Sequence, residues 1–132
     1  MTLAEIKNQV MFQTNNDAED LGDYEPHIDD YINEGYDRLM SAWAKDHVPT
    51  VADRLEIDTD EPETPEWTHR ALVDYATWLV YRNGNPQKQQ RGMAYLNAFN
   101  EVLAKIADEG GAAGLNADGT RKRVTKFFNI PR

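Results

Sequence analysis

Leu79-Val80-Tyr81-Arg82-Asn83-Gly84-Asn85-Pro86-Gln87 decides the architecture of this chain. Asn83-Gly84 is a helix-ending pair, because both residues tolerate the left-handed conformation that closes a last turn. Asn85-Pro86 starts another helix at once. Asparagine serves as the cap, and the N–H that proline lacks is one that has no partner in a first turn. So short a connection folds the two helices back on each other as an αα-hairpin. Upstream, Thr64-Pro65-Glu66 supplies a second cap-and-proline start, and Trp67, Ala71, Leu72, Tyr75, Ala76 and Leu79 form the apolar face of the helix entering the turn. Downstream, Met93, Leu96, Phe99, Leu103 and Ile106 line a long helix as far as Gly110-Gly111.

Two more helices precede the hairpin. Thr2 and Glu5 have the spacing of a capping box, and Leu3, Ile6 and Val10 fall on one face behind it. Turn-favouring residues 13–17 end that pattern. The next helix has Asp23 as a cap and Pro26 in its first turn. Its apolar stripe is Ile28, Ile32, Tyr36, Leu39 and Trp43, widened by Tyr31 and Met40, and Asp29, Asp30, Asn33, Asp37 and Lys45 lie opposite. Gly35 weakens this helix by about 1 kcal/mol relative to alanine and opens room for a close helix crossing. Residues 48–65 form an acidic linker whose middle Leu55 and Ile57 are expected to pin to the core. No stretch alternates with period two for long enough to make a strand, and 124–128 alone has β character. The expected fold class is all-α: a small antiparallel bundle of about four helices over residues 1–114, with an extended C-terminal tail over 115–132.

Composition narrows the function classes. The 132 residues are 40% hydrophobic, enough for one domain with one core. No apolar run approaches the roughly 20 residues that span a bilayer, and the start Met1-Thr2-Leu3-Ala4-Glu5 has neither the basic nor the apolar part of a secretory signal. The absence of cysteine excludes disulfides, thiolate nucleophiles and cysteine-held metals, and fits a cytoplasmic product. A net charge of −9 argues against a body that wraps nucleic acid, which needs clustered lysine and arginine. An acidic surface can still line a passage for DNA, since repulsion keeps the polymer from sticking.

Catalytic chemistry finds no foothold. Glu66-Trp67-Thr68-His69 places two metal-ligand types on one helical face, but a di-iron carboxylate bundle needs a second such motif and two more glutamates. The simpler reading makes His69 a surface residue. Asp58-Thr59-Asp60 opens like an EF-hand loop and then fails, with Glu63 and His69 where glycine and an acid are required. Ser41 is the single serine, no nucleophile elbow surrounds it, and no glycine-rich loop joins a strand to a helix. No enzyme, metal or cofactor is expected. Trp43, Trp67, Trp78 and Tyr75 are read as core, while Tyr24, Tyr31, Tyr36, Tyr81 and Tyr95 exceed what one small core uses, so that some would face a neighbouring subunit.

Charge is segregated along the chain. The first 114 residues carry nine basic and 22 acidic side chains, whereas 121–132 carry five basic and no acidic ones. The end of the chain reads as a jointed arm for a protein partner, with Phe127, Phe128 and Ile130 as anchors and Arg121, Lys122, Arg123 and Lys126 as steering charge. The hairpin tip bears Arg82, Lys88 and Arg91. It is either a solvated tip or a contact that meets the acidic side chains Asp29 and Asp30 of the next copy, an arrangement that closes into a ring.

The layout resembles the head–tail connector (adaptor) proteins of long-tailed bacteriophages and prophages. The resemblance lies in the short opening helix at 3–7, the long helix Ile28-Asp29-Asp30-Tyr31-Ile32-Asn33-Glu34-Gly35-Tyr36-Asp37-Arg38-Leu39, the acidic loop, Pro65-Glu66-Trp67-Thr68-His69-Arg70-Ala71-Leu72-Val73-Asp74-Tyr75-Ala76, and the hairpin with its long last helix. It implies a structural virion protein made in the host bacterial cytoplasm and located in the virion neck. Such proteins form a ring, commonly a dodecamer, beneath the portal protein. The ring extends the channel for double-stranded DNA, which it passes without specific binding, and presents a platform to a stopper or tail-completion protein. Residues 121–132 would be the arm that docks on the portal. Two other classes stay open: a small acidic helical protein-binding module or DNA mimic, the basic tail arguing against mimicry, and an enzyme or metalloprotein on a four-helix bundle, against which the missing ligand set argues.

Overall fold

The computed structural model describes residues 1–15, 23–44, 49–50 and 53–111. Four α-helices make up its body: α1 (Leu3–Thr14), α2 (Ile28–Trp43), α3 (His69–Arg82) and α4 (Pro86–Asp108). Single 3-10 turns, Glu25–His27 and Glu66–Thr68, lead into α2 and α3. The described residues contain no strand, and the chain is an all-α bundle. The expected tail, 115–132, lies outside the described residues.

Local signals explain three of the helix ends. Thr2 and Glu5 form the capping box, with the Thr2 Oγ1 accepting from Glu5 N and the Glu5 carboxylate accepting from Thr2 N. That carboxylate is held below its usual range, chiefly by the backbone hydrogen bond. Asn85 Oδ1 accepts from Lys88 N at 2.9 Å, so the cap that opens α4 is the one expected. At its far end α4 stops at Gly110 and Gly111, both with positive φ. Two starts differ from expectation. Asp23 does not cap α2, which begins after the 3-10 turn with no side-chain cap. Thr64 does not cap α3. Its hydroxyl is buried and accepts from Thr68 Oγ1 at 2.8 Å, and Pro65, extended at ψ 148, takes the cap position of a 3-10 turn that precedes α3.

The hairpin α3–α4 is the most extensive packing pair, and α3 also packs on α1 and α2. With neighbours on three sides α3 is buried nearly all round, so Val73, Thr77, Val80 and Tyr81 join Ala71, Leu72, Tyr75, Ala76 and Leu79 in the core. The α2 stripe is buried as read, with Ile28, Ile32, Tyr36, Leu39 and Trp43 all inside. Three of the tyrosines read as surplus, Tyr24, Tyr36 and Tyr81, are also core residues, Tyr81 because α3 is enclosed on three sides. Trp67 is the reverse case. It is exposed, with the Lys105 ammonium 4.4 Å from its ring centre.

Loop 53–65 is anchored by polar side chains of α2. Asn33 Oδ1 accepts from Leu55 N at 2.9 Å, while its amide donates to Leu55 O at 3.0 Å and to Asp29 O at 2.9 Å. One buried amide thus completes both backbone groups of Leu55, whose side chain enters the core. Tyr36 Oη accepts from Glu63 N at 3.0 Å. Ile57, expected to be a second pin, is exposed, because the turn at 57–60 points it outward while Asp60 accepts from the amides of Glu56 and Ile57. The same turn satisfies the start of α1, where Leu3 N and Ala4 N donate to Asp60 O and Asp58 O.

Candidate functional site

The described surface separates by charge. From 23 to 66 the described residues hold thirteen carboxylates and two arginines, Arg38 and Arg54. They cover the outer side of α2 and the loop beyond it. The hairpin tip carries Arg82, Lys88 and Arg91, with Arg82 and Arg91 exposed and Lys88 half-buried. Arg82 lies over the Trp78 ring, 5.2 Å from its centre. Asn83 Nδ2 donates to Tyr31 Oη at 3.0 Å, which brings the basic tip to the end of the bundle where α2 begins. Both expected contact patches therefore sit at one end, Asp29 and Asp30 being in the first turn of α2.

Each of those aspartates has a partner in its own chain. Asp30 pairs with Arg54 at 3.1 Å and Asp29 with Lys7 at 3.3 Å. Asp29 Oδ1 is shut off from solvent and takes no hydrogen bond, although the carboxyl group as a whole is about half exposed (47%). The Lys7 ammonium is thus a neighbouring charge and not a hydrogen-bond donor to that oxygen. Exposed pairs of this kind contribute only about 0.2–1 kcal/mol each, so they yield readily to a better-placed counter-charge.

Glu66 and His69 do meet, with Glu66 Oε2 3.1 Å from His69 Nδ1. What they hold is the Met1 amine, 2.8 and 2.9 Å from the two carboxylate oxygens and 2.7 Å from Nδ1. His69 is buried, contrary to its reading as a surface residue, because Nε2 faces Thr64 O at 2.8 Å and fixes the ring under the 3-10 turn. With Nε2 donating to that carbonyl, Nδ1 is left to accept from the amine. The ammonium holds the Glu66 carboxyl below its usual range. No group of three or more potential metal ligands converges among the described residues.

No protein-family model, curated protein or solved structure matches the chain.

The site is therefore read from its own chemistry. Among the described residues, three shallow depressions lie in the acidic region. One, about 360 Å³, is lined by Tyr36, Asp60, Glu63 and residues 53–57. A second, about 390 Å³, lies between Asp30, Asn33, Glu34, Asp37, Pro49 and Arg54. Burial pushes the Asp37 carboxyl up, against the pull of Arg54. The third, about 440 Å³, is lined by Lys7, Met11, Asp23, Glu25, Pro26, Ile28 and Asp29 and mixes acid with apolar surface. Such surfaces suit binding through charge and contact. Among the described residues no helix is long and apolar enough to cross a membrane. The expected arm residues Arg121, Lys122, Arg123, Lys126, Phe127, Phe128 and Ile130 lie outside the described residues, as do His47 and Lys45. The role of Asn33 as a clamp escaped the sequence reading. It is read from sequence as lying opposite the apolar stripe, whereas it is buried, because its amide pairs with the Leu55 backbone.

Proposed function

We propose that the chain is a structural subunit of the head–tail connector type, which assembles side by side into a ring beneath a portal and links it to a stopper or tail-completion protein. The observation that carries this reading is the segregation of charge on an all-α bundle. Thirteen carboxylates lie between residues 23 and 66, over α2 and the segments flanking it, and a basic hairpin tip stands at the end of the bundle where α2 begins. Because the opposed patches share one end, contact between copies runs laterally, Arg82, Lys88 and Arg91 of one copy facing Asp29 and Asp30 of the next. A lateral contact repeated by rotation closes a ring. A carboxylate-rich wall repels phosphates, so duplex DNA passes without being held. The arm 121–132 supplies the grip on the portal, and the helical body supplies the channel.

The reading is tested by native mass measurement of the chain alone and with a purified portal protein. A ring, or a complex with the portal, is expected. A chain that stays monomeric in both samples sinks the reading. Removing residues 121–132 is expected to leave the helical circular-dichroism spectrum unchanged and to abolish co-sedimentation with the portal.

A further inference from the structure

We infer that residues 121–132 dock on the acidic, partly apolar groove between α1 and the start of α2 of their own chain, so that the unassembled protein keeps both surfaces covered. The groove brings Asp23, Glu25 and Asp29 around Met11, Pro26 and Ile28, with Lys7 as the opposing cation. With a volume of about 440 Å³ it is a shallow surface on which an extended segment can lie. Met11, on the groove wall, is 39% exposed.

The occupant follows from complementarity and reach. Residues 121–132 hold Arg121, Lys122, Arg123, Lys126 and Arg132 with no acid, interleaved with Phe127, Phe128 and Ile130. They offer cations to the three carboxylates and rings to the apolar floor. The depressions around Arg54 are poorer matches, because fewer apolar side chains line them: Leu55 and Ile57 in one, Pro49 in the other. The last described residue, Gly111, sits against Trp43 at the far end of α2. The groove lies at Ile28, and the 16 residues of α2 span about 24 Å. Phe127 is sixteen residues past Gly111, a reach of about 50 Å when extended, so the arm crosses the bundle with slack. A tether this short holds the arm at an effective concentration in the millimolar range, which favours the chain's own groove over that of a free neighbour. This inference does not depend on the connector reading, although a portal that competes for the arm would release it.

Because the chain lacks cysteine, Thr125→Cys gives one attachment point for a nitroxide in the full-length protein. Methyl-labelled methionine then reports position through Met11 in the groove, Met40 in the core and Met93 on the exposed side of α4. The expected result is a large intensity loss at Met11, with Met40 and Met93 retained. It is reversed both by Glu25→Gln with Asp29→Asn and, independently, by Arg121→Glu with Arg123→Glu. Equal broadening at Met93, or broadening that ignores both charge variants, overturns the inference. In a mixture of nitroxide-bearing unlabelled chains with methyl-labelled cysteine-free chains, no broadening is expected. Loss at Met11 of the same size there means that the arm docks on a neighbour, and the inference fails.

Discussion

Gly35 and Tyr75 touch where α2 crosses α3. A Cβ on Gly35 would lie 3.0 Å from Tyr75 Cδ2 and 3.1 Å from Tyr75 Cβ. The phenol beyond donates to Glu34 Oε1 at 3.0 Å, and the Arg38 guanidinium lies over the ring, 5.5 Å from its centre. The helix weakness at Gly35 is thus the condition for a tight crossing. Gly35→Ala gains about 1 kcal/mol of helix propensity and loses about 1–3 kcal/mol to overpacking. The expected net is a loss of about 1 kcal/mol, read from the midpoint of urea unfolding. A more stable variant would show that the crossing has slack.

Asn33→Ala removes the three hydrogen bonds that hold Leu55 and the first turn of α2 together. It leaves a buried N–H without its partner, at a cost of about 1–3 kcal/mol. The expected readouts are a lower melting temperature and faster amide exchange at Leu55, with α4 protection unchanged in order. If exchange at Leu55 matches the parent protein, the clamp is not what holds the loop.

Much of this was legible where periodicity and caps act locally. The α2 stripe, the Thr2–Glu5 box, the Asn85-Pro86 start and the glycine stop of α4 all follow from spacing within one helix. What escaped depended on which helix stands in the middle. Trp67 and His69 exchanged places, the tryptophan staying outside and the histidine going in, because the 3-10 turn at 66–68 rotates the start of α3 relative to a helix begun at Pro65. Gly92 was passed over in sequence. A Cβ there would come 2.8 Å from Tyr81 Cβ, so it sets the spacing of the hairpin. Of the candidate contact residues, the hairpin tip and Asp29 with Asp30 were found at the surface, but their gathering at one end rests on the Asn83–Tyr31 bond, which no spacing rule predicts.

Asp74 provides a pH signature. Burial pushes its carboxyl above the usual range, against the opposing pull of Arg70. A raised folded pKa means that ionising Asp74 penalises the folded state. The penalty is absent below the unfolded carboxylate pKa, grows as pH rises through the folded one, and is full at neutral pH. Asp74→Asn is therefore expected to raise the melting temperature at pH 7, with the gain shrinking as pH falls into the acid range. A gain that is constant with pH assigns the effect to something other than ionisation.

Arg82→Glu is expected to weaken association between copies by about 0.2–1 kcal/mol per contact, the range of exposed ion pairs. Sedimentation velocity over a concentration series measures it. Asp30→Lys should weaken association similarly, and the double variant should recover part of the loss. Additive losses in the double variant would separate these residues in the assembly.

Gly111 has φ +56, and a Cβ there would stand 2.5 Å from Trp43 O and 3.0 Å from Ala42 O. The bearing on which the chain leaves α4 is accordingly set by main chain seated against main chain. Exchanging the side chains of the final 21 residues therefore leaves their point of departure from α4 where it was, and the bundle fixes where the chain continues whatever sequence follows.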